Sequence, residues 1–204
     1  LLVSDPLYDI FQNRLKLIEI VRHPVYMYSH WIAYIKRFTS TREVTLAFDY
    51  NGIKIPWFAH SWQKEYSVLN DAERSVKSML FLYEWLYQKI DQLNVTDCKL
   101  LLLSFEDIAY NTDDVLLKIS SFLGREHSRN IAKIKRHQML PRKGPILRPG
   151  GSFRSSDYEM VMQNKNTSDD LYGSLYNNIK SQISSELMIS FDAMILEYNR
   201  RFPS

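Results

Sequence analysis

Cysteine occurs once, at Cys98, so no intrachain disulfide framework is possible. That favours a reducing compartment without excluding a secreted one. Glycine is scarce as well: six residues in 204, roughly half the usual share of about 7%. The six never gather into a glycine-rich, phosphate-cradling loop. No stretch approaches the ~20 apolar residues of a membrane span, and nothing resembles a signal peptide. Charge of one sign is not in excess either, since a net +3 is too small to argue for nucleic acid. Five histidines and one cysteine show no ligand spacing, so no metal site is expected.

What is present describes an ordinary globular chain, 45% apolar and 24% charged. Its length suits a single domain over 1–204. The opening at Leu1, without a methionine, reads as a fragment or processed form. Aromatic residues reach 13%, which favours large packed or stacking surfaces. The positive charge is concentrated. Lys133, Lys135, Arg136, Arg142, Lys143, Arg148 and Arg154, with His137, run without an intervening acid, a field that would draw in an anionic ligand.

The stretch Leu15 to Trp31 organises the rest. Leu15, Leu17, Ile18, Ile20 and Val21 form a nearly continuous apolar run, expected as a central parallel strand covered on both faces. Arg22 follows at its carboxyl end, where open α/β sheets hold ligands. Pro24 suits the first turn of a helix running from Val25 to about Phe38. That winding puts Ser29 about one turn beyond Val25, so a guanidinium and a hydroxyl can converge on one anion. A surface arginine after a core strand is the plainer reading.

Farther on, Asn51-Gly52 between β-rich flanks predicts a hairpin inserted near 44–57. It reads equally as an acceptor-site flap or as a structural arm. Asp71 to Ile90 predicts a long helix with one buried stripe, Val76, Met79, Leu80, Tyr83, Leu86 and Tyr87. Cys98 to Phe105 is a second buried strand, closed by Glu106-Asp107. A helix from Thr112 then stops at Gly124. A basic helix is expected from Arg129 to about Met139, and a loop dense in cations from Leu140 to Arg154. A polar linker is expected around Asn164 to Asp170, and a terminal helical region over Ile179 to Arg200. Two sequons, Asn94-Val95-Thr96 and Asn166-Thr167-Ser168, matter only in a secretory setting, so the compartment stays open between cytoplasm and Golgi lumen.

Three separated pieces resemble the sulfotransferase family that uses 3′-phosphoadenosine 5′-phosphosulfate (PAPS). They are Ile20-Val21-Arg22-His23-Pro24 with Ser29, then Leu101 to Asp107 followed by the helix ending at Gly124, then Arg142-Lys143-Gly144. The resemblance implies a three-layer α/β fold, a central, mostly parallel sheet flanked by helices, P-loop-like but truncated at its amino terminus. It implies PAPS as co-substrate and transfer of a sulfuryl group to a hydroxyl or amine acceptor, with a carbohydrate among the candidates. Carried over by position, Arg22 and Ser29 would bind the nucleotide's 3′-phosphate, Phe105 would lie on the adenine side, and Arg142, Lys143 and Gly144 would complete the phosphate clamp.

Two departures accompany it. The spacing from Arg22 to Ser29 is one residue shorter than is usual in the family, which leaves His30 at the expected place. The family's phosphosulfate loop is not found, only 14 residues preceding Leu15, so the catalytic lysine and the base are not expected in this sequence. His30, beside the expected phosphate site, and His60, after the hairpin that could face an acceptor, are the remaining acid-base candidates; a surface or packed histidine is the plainer reading, and neither is assigned a catalytic role. A competing reading is a non-catalytic module of the same fold that binds an anionic ligand or partner through the basic loop. A nucleotide kinase is disfavoured, because it needs a glycine-rich phosphate loop.

Overall fold

The computed structural model describes residues 5–11, 14–38, 46–94, 99–126, 128–138, 140–141 and 168–203. The chain is mixed α/β and mainly helical. In order, the elements are α1 (Asp5–Phe11), β1 (Lys16–Val21), α2 (Pro24–Arg37), β2 (Ala47–Tyr50), β3 (Ile53–Pro56), a 3-10 segment (Trp57–Trp62), α3 (Gln63–Val68), α4 (Asp71–Asn94), β4 (Lys99–Ser104), α5 (Phe105–Tyr110), α6 (Thr112–Leu123), α7 (Ile131–His137), α8 (Ser168–Lys180) and α9 (Ser185–Arg201). Among the described residues the strands form two pairs, β1 with β4 and β2 with β3.

The contacts gather into two compact units, one comprising Leu1–His23, Trp85–Pro149 and Asn199–Ser204, the other Pro24–Glu84 and Gly150–Tyr198. In the first, β1 and β4 run parallel with Val21 opposite Ser104, so both strands end together. Parallel strands need a long crossover, and the chain between β1 and β4, which carries α2, the β2–β3 hairpin, α3 and α4, supplies one. The amine of Lys16 donates to the Phe122 carbonyl at 2.7 Å, tying the start of β1 to the end of α6. In the same unit, Arg201 grips Asp91 through two parallel bonds of 2.8 Å and lies 4.5 Å over the Tyr87 ring. Gly124, at φ +67°, lets the α6 carbonyls be capped by a left-handed residue.

The second unit is built on α2 and the hairpin. Asn51 and Gly52 both take positive φ, 52° and 79°, the backbone that a two-residue turn between twisted strands demands. The Asp49 carboxylate accepts from the Gly52 amide at 3.0 Å. Ile35, Ile55, Phe58, Ala59 and Tyr66 form a buried cluster with Trp31, Tyr34 and Trp62 against it. Helix α4 begins with reciprocal capping between Asn70 and Glu73, amide to side chain in each direction, at 3.0 and 3.2 Å. Its stripe is buried as expected at Val76, Met79, Tyr83, Leu86 and Tyr87, while Leu80 is half-buried.

Three expectations are corrected. β1 is not covered on both faces: its burial alternates along the strand, with Ile18 and Ile20 36% and 51% exposed on one face while Val21, on the other, is buried. Phe105 does not end a strand but opens α5, because the Ser104 hydroxyl accepts the Asp107 amide at 2.9 Å and starts a helix there. The terminal helical region, expected over Ile179 to Arg200, comprises α9 and the end of α8, separated at 181–184, where the Ser184 hydroxyl accepts from the Leu187 amide at 3.4 Å and begins α9. The polar stretch from Ser168 to Asp170 already belongs to α8. Among the described residues, no helix is long and apolar enough to cross a membrane.

Candidate functional site at the carboxyl ends of β1 and β4

Because β1 and β4 are parallel and in register, the residues after Val21 and after Ser104 emerge side by side. Arg22 and Phe105 are those residues. The guanidinium carbon lies 4.9 Å from the centre of the Phe105 ring, and both side chains are half-buried. A cation over an aromatic face at this depth is worth about 1 kcal/mol, enough to give the arginine a preferred orientation.

The following positions interlock too. The His23 amide donates to both oxygens of Glu106, each at 3.2 Å. The His23 side chain is 8% exposed, and burial pushes its imidazole down to about 4, opposed by a hydrogen bond with Asn199. It is therefore neutral at neutral pH and offers this strand end a hydrogen bond rather than a charge. The Ser104 hydroxyl, also buried, anchors α5, whose first turn carries Glu106 and Asp107, where acids complement the amino-terminal dipole.

The chemistry follows from who holds what. One backbone amide that would suit an external anion already serves an internal carboxylate, Glu106. The guanidinium, steadied on an aromatic ring at a strand end, is the group here fitted to an anion by charge and fork geometry. Of the polar groups at this strand end, the His23 amide is engaged by Glu106 and the Arg22 guanidinium lies over the Phe105 ring. One face of Phe105 carries the arginine, so an adenine beside this ring would have to use its edge or its other face.

Comparison with family models, with curated proteins and with solved structures gives no match.

Of the residues singled out by sequence, the structure brings Arg22 and Phe105 together. Ser29 is half-buried in α2, in the other unit. Arg142, Lys143 and Gly144 lie outside the described residues. So does the stretch Arg148 to Arg154. The described part of the basic run is α7, which buries none of its side chains; Lys133, Arg136 and His137 are exposed. Lys135 pairs with Asp113 of α6, an acid that the local sequence did not reveal. His30 is half-buried in α2, and His60 is exposed, its ring 4.9 Å from that of Phe48. Among the described residues no group of three or more His, Cys, Asp or Glu is arranged to hold a metal ion.

Sequence reasoning missed Glu106 and His23 as members of this site. Nothing local joins two residues 83 positions apart. The capping role of Ser104 had a signal: a serine with acids two and three positions later is a helix-start pattern.

Proposed function

We propose that this chain carries the 3′-phosphate half-site of a sulfotransferase, which moves a sulfuryl group from PAPS to a hydroxyl or amine acceptor, a carbohydrate among the candidates. One observation carries the reading: Arg22 and Phe105, drawn from motif pieces far apart in sequence, stand together at the carboxyl ends of a parallel pair. The order of those pieces, with Arg142-Lys143-Gly144 third, supports it. In this reading the Arg22 fork holds the 3′-phosphate and Phe105 borders the adenine. The P-loop-like, three-layer architecture belongs to the same proposal.

Calorimetric titration with adenosine 3′,5′-bisphosphate tests it. Binding is expected, weakened at least about tenfold by Arg22→Ala, in keeping with loss of a charge-assisted pair. Adenosine 5′-monophosphate, lacking the 3′-phosphate, should bind the native chain and Arg22→Ala alike. Equal affinity of the two proteins for the bisphosphate would refute the assignment.

A second reading has its own support in α7, where Lys133, Arg136 and His137 face solvent. There the chain is a non-catalytic module of this fold, holding an anionic ligand on its basic segment. It predicts retention on a sulfated glycan resin that falls steeply with salt and with Lys133→Ala plus Arg136→Ala, whatever happens at Arg22.

A further inference from the structure

Helix α9 is apolar on two sides. Met188, Phe191, Met194, Ile195 and Tyr198 are buried and account for one face. Away from them, Ile189 and Leu196 are 71% and 70% exposed, among the most exposed large apolar side chains described. Single exposed leucines are ordinary. These two are part of an arrangement. With 3.6 residues per turn, Glu186, Ile189, Ala193, Leu196 and Arg200 fall within an arc of about 80°. Glu186, Ala193 and Arg200 are exposed as well.

This stripe is complementary to itself when reversed. Ala193 is its midpoint, and its methyl lets two backbones approach. Glu186 lies seven positions before it and Arg200 seven after; Ile189 lies four before and Leu196 three after. Turn a second copy end for end about a two-fold axis through Ala193. Each glutamate then meets the other copy's arginine, and each isoleucine the other copy's leucine. In a parallel arrangement the same stripe would set glutamate against glutamate and arginine against arginine. Charge complementarity therefore selects both the occupant, a second copy of this chain, and its direction, as isologous contacts require.

We propose that α9 pairs antiparallel with α9 of a second copy, forming a two-fold dimer centred on Ala193. The helix of 17 residues is about 25 Å long. That makes a small interface beside the roughly 1,200–2,000 Å² of stable complexes, so a weak dimer that dissociates on dilution is expected, to be sought from about 1 μM to 1 mM.

Sedimentation of the chain across that range should show a concentration-dependent dimer, and Leu196→Glu should leave a monomer with an unchanged circular dichroism spectrum. Glu186→Arg alone should weaken the dimer, and adding Arg200→Glu should restore it. Crosslinking gives a measurement independent of those variants: Ala193→Cys in a Cys98→Ser background should oxidise to a disulfide-linked dimer, because position 193 meets its own copy at the axis. A chain monomeric throughout, a Leu196→Glu protein that dimerises like the native one, or no crosslink through position 193 would each overturn the pairing.

Discussion

Protonating His23 should destabilise the fold, and the size of the effect can be worked from its surroundings. The imidazole is 8% exposed, and burial holds it near 4 instead of 6.5. A depressed histidine means that the unfolded chain takes up the proton first. Stability from this group is therefore complete above pH 6.5 and is lost as pH falls from there toward 4. The full difference corresponds to about 3 kcal/mol, and roughly 2 kcal/mol of it should be gone by pH 5. Urea unfolding of the native chain and of His23→Gln, between pH 7.5 and 4.5, isolates the contribution. The glutamine keeps a hydrogen-bonding group near Asn199 but does not titrate in this window. Carboxylates common to both proteins cancel in the comparison. The native midpoint should fall more steeply than that of the variant below pH 6.5. Parallel curves for the two proteins would refute the argument, as would a His23 ring resonance that titrates near 6.5 in the folded protein.

Three further outcomes follow from local geometry. Ser104→Ala removes the acceptor of the Asp107 amide and should cost about 1–2 kcal/mol in a denaturant titration. Because α5 opens with Phe105, it should also weaken binding of adenosine 3′,5′-bisphosphate. Gly124→Ala meets no neighbour within 4 Å but must hold φ +67°; the cost, about 1–2 kcal/mol, is then purely conformational, and Gly124→Asn should recover part of it. Phe191→Ala empties a fully buried site on α9 and should lower stability by about 3–5 kcal/mol, whereas Ile189→Ala, on the exposed face, should leave the urea midpoint of dilute protein nearly unchanged.

Much of the architecture was legible because short-range rules govern it. Asn51-Gly52 announces a turn since two successive positive φ values are costly for most other residues. Gly124 marks a helix end for the same reason. The apolar runs at Lys16–Val21 and Lys99–Ser104 read as strands, and the 3.6-residue period of α4 reads as a buried stripe, because periodicity is a property of the local backbone. Arg22 could be named as a site candidate because it follows such a strand, whereas Phe105 is named only through the family resemblance. Where local signals competed, the reading went astray. The Ser104 cap overrode the apolar run at Phe105, and α8 begins at Ser168 inside the stretch that composition marks as a polar linker.

Other features belong to no local pattern. The alternation of Ile18 and Ile20 against Val21 depends on which faces distant segments cover. The carboxylate on the His23 amide comes from the end of the neighbouring strand, 83 positions away in sequence, and the neutrality of that imidazole comes from the exclusion of water by atoms scattered along the chain. Lys135 finds its acid on another helix. From residues alone came the elements, their turns and the chemistry at each strand end; from folding came the partners. Backbone preference acts over a few bonds, whereas desolvation and charge pairing depend on whatever the folded chain brings within a few ångströms.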